Sequence, residues 1–466
     1  MEQGVAYPAD SVSSISTGLD KYALDDLPED GEESHLIGLS ILQGQFRTLL
    51  GCCDIRRLGH FFGKTWFRRV WVVQEVVLAK QVVLHAGRNT LSFNKFASAV
   101  FALWSHKHFF QLRTSDVSDT FLHNLNTVNQ IVDARYIHLR RNRLGKPRVV
   151  RTLYEWCRML VYRECSDERD KVYAALGLAS GDITLLPDYK LSLTEILSDL
   201  TAKSLASGQV SILHYAQNLT DVSTSSSSPS YVARITRAEP GTRPYPLGGT
   251  GMKHYQTGLS RRFYMTILNS SLISILGTSI DKVIHVKDIG RELCEYALGT
   301  GSPFKMELQN AWDRIATAYT SASHITKHNA ALLKLKFWRA IHLGLRVKDE
   351  HASYFEHVPD LRFLGQASRV AIAQALHVRS MFITERGFIG LGPPWTKVGD
   401  QAVVLHGAET PFLLRLSATA TTDTQWKLVG DCYVEDWMQK DDLSRHVREM
   451  DDEGKCFYQA QDFVLS

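Results

Sequence analysis

Glu75 is the one carboxylate in WFRRVWVVQEVVLA, residues 66–79, where most positions are apolar. On a continuous helix Trp71 lies one turn before it, Arg68 two turns before it, and Leu78 and Ala79 follow on nearly the same face. A glutamate framed by apolar surface is pushed toward its neutral form unless an arginine pairs with it. A partly desolvated glutamate can act as a general base or orient a hydroxyl group. The blander reading, and the favoured one, pairs Glu75 with Arg68 or Arg69 and gives it the task of fixing the helix.

Other chemistry-bearing residues have simpler explanations. Asp167, Glu168, Arg169, Asp170 and Lys171 form a charge run. Its place in a first helical turn predicts a cap at Ser166 or Asp167 and a solvated face rather than a ligand site. His106 and His108 could share a metal on an extended strand, but no Cys or carboxylate set accompanies them, so surface histidines are expected. Cys52 and Cys53 read as packed thiols, and GGTG at 248–251 reads as flexible connection rather than a phosphate cradle. The sequence contains no GxxxxGK[ST], HExxH or GxSxG, which argues against the corresponding phosphate, zinc and serine-hydrolase chemistries. No metal site is expected.

Whole-chain composition names no polyanionic partner. Fifty-three Lys and Arg against 49 Asp and Glu leave +4 over 466 residues, too weak a balance to predict nucleic-acid or membrane binding. Seven cysteines, with no CxxC pair, suggest a reducing compartment. With neither a signal-peptide pattern nor a run of about 18 apolar residues, the expected location is the cytoplasm.

The elements that must position these residues follow from periodicity. Residues 1–35 end in the acidic run DDLPEDGEE and are expected to form a disordered arm. Residues 36–91 should form helix, helix and a strand in KQVVLHAG closed by Gly87. A helical region follows over 92–220. In it, Val172, Tyr173 and Leu176 form an inner stripe, with Gly177 or Gly181 as the stop, and Ser192 with Glu195 forms a capping box ahead of a helix that Gly208 ends. Residues 221–260 read as a Ser, Gly and Pro rich linker, 261–370 as mixed strand and helix, 371–440 as a β-rich module and 441–466 as a tail.

Three segments in this order resemble fungal heterokaryon incompatibility (HET) domain proteins. RRVWVVQEVVLA with VVLHAG looks like their R-x-W-x-x-Q-E-x-x-L-A signature, which takes in Arg69, Trp71, Gln74 and Glu75. CSDERDKVYAALGLA with LLPDY looks like their D-x-R-D-K-V-Y segment, which takes in Asp167, Arg169 and Asp170. FITERGFIGLGPPWTKVGDQAVVLHGAETPFLLRL and LVGDCYVEDWM resemble a region such proteins carry near their ends.

The resemblance implies a role in non-self recognition and programmed cell death, and a domain similar to the TIR fold. Enzymatic TIR domains use a glutamate in W-x-x-x-E to cleave NAD, a spacing that Trp71 and Glu75 match. Under that reading Glu75 is catalytic, Trp71 lies against the nucleotide and NAD is a substrate, with no cofactor required. The family's opening elements, Y-x-A-L-S-Y-x-W-G and I-N-Q, are not found, so a HET domain lacking its N-terminal part is expected. The expected fold class is mixed α/β and α+β: a truncated TIR-like α/β remnant, a helical middle region and a small β-rich C-terminal module. The expected role is that of an interacting protein or degenerate paralogue, with other incompatibility proteins or a second copy as partners. An active NAD glycohydrolase is the rival.

Overall fold

A computed structural model describes residues 55–105, 115–144, 152–179, 183–216, 228–234, 247, 255, 257–258, 261–269, 271–288, 303–321, 330–343, 372, 375–376, 378–417, 424–438, 445–446 and 458–466. The arm at 1–35, Cys52, Cys53, His106, His108 and GGTG lie outside the described residues. The chain divides into two units, Met1–Pro187 and Asp188–Ser466.

The first unit is helical. Its described elements are α1 (Ile55–Phe62), α2 (Thr65–Arg68), α3 (Val70–Leu78), β1 (Val83–Ala86), β2 (Asn89–Ser92), α4 (Phe93–Ser105), α5 (Ser115–Leu144), α6 (Leu153–Leu160) and α7 (Asp170–Leu176). An aromatic cluster joins the early helices: Phe67 stacks on Phe96 at 5.8 Å between ring centroids, and Phe62 packs against both Phe96 and Phe121. Such ring pairs add to the burial of their large apolar area. Helix α6 opens with a reciprocal box, in which the Thr152 hydroxyl accepts from the Glu155 amide while Glu155 accepts from the Thr152 amide.

Strand β1 continues into β2 through a two-residue loop, with Ala86 opposite Asn89. Gly87 holds φ at 62°, the positive value that the first position of tight hairpin turns favours. This antiparallel pair is the sheet found among the described residues of the first unit. The parallel sheet that a TIR-like α/β remnant requires is not seen among them.

The second unit begins with α8 (Leu193–Ala206), where the expected Ser192 and Glu195 box forms; Gly208, at φ 82°, follows the helix. A 3-10 turn spans Val210–Tyr215. Then come β3 (Met265–Ile267), β4 (Ile273–Lys287), α9 (Pro303–Ser321) and α10 (Ala330–Ile341). The β-rich C-terminal region supplies β5 (Ser380–Thr384), β6 (Ile389–Gly392), β7 (Gln401–Leu405), β8 (Phe412–Leu416), β9 (Gln425–Asp431), β10 (Tyr433–Val434) and β11 (Ala460–Leu465).

Strand pairing closes a ring. β4 pairs with β11, β11 with β9, β9 with β8, β8 with β7, and β7 returns to β4. Closure leaves the five strands without a bare edge within the ring. The far end of β4 also pairs with β5, which leads a short sheet through β6 to β10. Two expected regions thus contribute more than their description: the mixed region supplies β4, and the expected tail supplies β11.

Alternation along β5 divides its side chains between two cores. Met381 and Ile383 join Ile389 and Leu391 beneath the helical residues Phe337, Trp338 and Ile315, while Phe382 faces the opposite way among Val283, Val404 and Trp437. Phe382 pairs across the strands with Gly390. A Cβ at Gly390 would stand 2.2 Å from the Phe382 ring and 2.6 Å from the Tyr433 carbonyl oxygen. The glycines of FIGLG therefore make room for an aromatic ring in a sheet buried on both faces.

Candidate functional site

Helix α3 carries the sequence-predicted residues. Arg69, just before it, has extended backbone (φ −67°, ψ 138°), which breaks α2 from α3. The continuous helix that would put Arg68 and Glu75 on one face is therefore absent. Arg68 Nη1 instead meets Glu164 Oε1 at 3.3 Å, and Arg69 makes a parallel backbone bridge to Glu164. The Val70 amide donates to the Glu164 carbonyl and the Glu164 amide to the Arg68 carbonyl. The expected pairing of Glu75 with Arg68 or Arg69 is thus replaced by anchorage to Glu164.

Glu75 itself is exposed, although Val72, Val73, Val76 and Val77 on the same helix are buried. The four valines turn inward and leave the carboxylate in water beside exposed Leu78, where it needs no partner. Trp71 is tied differently. Its Nε1 donates to Asp170 Oδ2 at 3.1 Å, so the W-x-x-x-E tryptophan is held by the first residue of α7. Gln74 lies over Gly177 at the end of that helix, where a Cβ would meet Gln74 Nε2 at 2.0 Å. Gly177 has ordinary helical backbone, with φ −71°. Its lack of a side chain serves close approach rather than a left-handed stop.

Two buried arginines bond backbone carbonyls around α3, one at its C-terminal end and one in α2. Arg135 on α5 donates to the carbonyls of Val76 and Ala79, filling acceptors that a helix C-terminus leaves open. Arg163 donates to the Phe67 and Thr127 carbonyls, and burial lowers its guanidinium to about 10. Neither residue stood out in the sequence: Arg135 has Asp133 and His138 for neighbours, and Arg163 lies in the turn after α6 beside Glu164.

The charge run before α7 is only partly a solvated face. Asp167 accepts from Arg169 Nε and Nη2 at 2.9 and 2.7 Å and from the Arg169 amide at 3.0 Å. Arg169 thereby holds the Asp167 carboxyl below its usual range. The helix starts at Asp170, and of the two expected caps Asp167 takes the amide of Arg169 in the turn that leads into it. Lys171 is buried and pairs with Glu168 at 2.5 Å. The first turn thus works inward as well as outward: Asp170 reaches Trp71 and Lys171 enters the core.

In the second unit a buried ionic centre gathers on Asp431. It accepts from Arg379 Nη2 at 2.9 Å and from the Leu247 amide at 2.6 Å, and its Oδ2 lies 3.1 Å from His214 Nδ1. Burial opposes the charge, but Arg379, His214 and the Leu247 amide outweigh it and hold Asp431 at about 2. This joins the 3-10 turn, the segment before β5 and the end of β9. Nearby, Glu435 accepts from the Tyr433 hydroxyl and pairs with Arg339 at 3.3 Å; burial raises its carboxyl. Asp400 receives Arg415 through both carboxylate oxygens, at 2.7 and 2.9 Å. Asp400 and Asp431, both inside the C-terminal segments that carry the resemblance, are therefore the aspartates that fasten the barrel.

Among the described residues no group of three or more His, Cys, Asp or Glu could hold a metal ion, and no helix is long and apolar enough to cross a membrane.

Residues 347–451 match the family model of the Het-6 beta-barrel domain. This HET-associated domain agrees with the third resembling segment and with the β-rich C-terminal region. The ring of strands also uses β4 and β11, which lie before and after the matched residues. No curated protein and no solved structure matches the chain.

Proposed function

We propose that this protein is a HET-type factor of fungal non-self recognition and programmed cell death, acting in the cytoplasm through protein interaction or standing as a degenerate paralogue. Incompatibility proteins or a second copy are its partners in this reading, and no cofactor is required. The Het-6 barrel match supports the family connection. The observation that carries the non-enzymatic part is the engagement of Trp71 with Asp170. Together with Gln74 over Gly177, it makes the tryptophan and glutamine of the signature a joint between helices.

One observation favours the rival. Glu75 is exposed, so a TIR-like NAD glycohydrolase would have a carboxylate in reach of a small substrate. Inducible expression in a fungal host, with intracellular NAD and viability followed for wild type and Glu75→Gln, separates the two. Under the proposed reading NAD is the same with either protein. A fall in NAD with wild type alone would assign chemistry to Glu75.

A further inference from the structure

The near-neutral balance of the chain conceals a local excess of positive charge. Residues 55–105 contain eight Lys and Arg and one carboxylate, Glu75, and all eight cationic side chains are exposed. Part of the excess is ordered as a stripe. Arg57, His60, Lys64 and Arg68 recur every three or four residues through α1, its closing turn and α2. On α1, Arg56, Arg57 and His60 occupy the face opposite buried Phe62.

Within α1, Arg57 and His60 are helical neighbours about 5 to 6 Å apart, and extended backbone at Lys64 turns the chain before α2 carries Arg68. Their fields overlap within the screening length of about 10 Å at 0.1 M salt. Clustered charge of one sign raises the local concentration of oppositely charged partners even when the whole molecule is close to neutral.

From this stripe we infer that α1 and α2 form a docking surface for an acidic polypeptide segment. The stripe already accepts a carboxylate at one end, where Arg68 meets Glu164. Stacking of nucleic-acid bases would need several aromatic faces, and Trp66 is the large exposed aromatic of α1 and α2. The chain itself carries a ligand of the required chemistry in DDLPEDGEE, residues 25–33, with six carboxylates in nine residues. The inference rests on this charge pattern and not on the HET reading.

The test uses the full chain with the six carboxylates of 25–33 changed to amides, which removes competition from its own acidic run. A fluorescent peptide of sequence DDLPEDGEE is titrated against it and followed by anisotropy. Binding should weaken at least tenfold between 50 and 500 mM salt, and at least tenfold in Lys64→Glu with Arg57→Glu. Lys203→Glu in the second unit should leave it unchanged. Circular dichroism of each variant confirms that the fold is retained. Peptide binding indifferent to the Lys64 and Arg57 changes would overturn the inference, as would tighter binding of a single-stranded RNA oligomer or of anionic vesicles than of the peptide.

Discussion

The Trp71 indole donates to the Asp170 carboxylate across 3.1 Å, joining residues 99 positions apart in the chain. It brings two of the resembling sequence segments into one helical joint. Hydrogen bonds to a charged acceptor contribute about 1.5 to 3 kcal/mol, and this one is only partly buried, so the low end applies. Trp71→Phe should destabilise the first unit by about 1 to 2 kcal/mol. A double-mutant cycle with Asp170→Asn, read by denaturant unfolding, should show coupling above about 0.5 kcal/mol. Strict additivity would mean that the bond contributes nothing.

His342 should make the second unit acid-sensitive well above the carboxylate range. Burial lowers its imidazole from the ordinary 6.5 to about 4, against a smaller opposing effect from the Trp338 carbonyl. The unfolded chain therefore binds the proton first. Stability is full above pH 6.5 and falls as pH drops from 6.5 through 4, by on the order of 3 kcal/mol. Denaturant midpoints measured between pH 7 and 4 should decline in wild type and flatten in His342→Gln.

Asp431 contributes in a lower window. Its folded value of about 2 lies beneath the ordinary 3.8, so its stabilisation is present above pH 3.8 and lost as pH falls toward 2. At neutral pH, Asp431→Asn would leave the buried Arg379 guanidinium without its counter-charge. A loss of about 3 to 5 kcal/mol is expected, enough to abolish cooperative unfolding of a marginally stable unit. A variant that melts within 2 °C of wild type would refute this account.

Strand β11 should be indispensable although it lies beyond the matched residues. Ending the chain at residue 451 removes the partner of both β4 and β9 and leaves two strand edges bare. Phe463, which packs edge-on against Trp426 at 5.9 Å, is lost as well. The shortened chain is expected to aggregate, and amides of Ile273–Thr278 should exchange far faster than in the full chain. Unchanged protection there would show that the ring holds without β11.

Glu75 is the residue on which sequence and structure diverge. Its spacing from Trp71 was legible, but its surroundings were not, because one extended residue, Arg69, breaks the helix and redirects Arg68 to Glu164. Backbone breaks of this kind carry no proline or glycine to announce them. Asp431 escaped notice for a related reason: its partners His214, Leu247 and Arg379 come from distant positions, and nothing local to G-D-C marks the aspartate as buried.

Elements whose signals are local were legible before any tertiary contact was known. The Ser192 and Glu195 box, the Gly87 turn and the buried face of α3 all depend on residues within a few positions of one another. The long-range partners that those elements meet follow from packing. It closed the ring through β4 and β11 and set Trp71 on Asp170. It also made Gly177 and Gly390 necessary as points of close approach. Periodicity fixes which face of an element turns inward, whereas the partner across that face depends on packing between segments far apart in the chain.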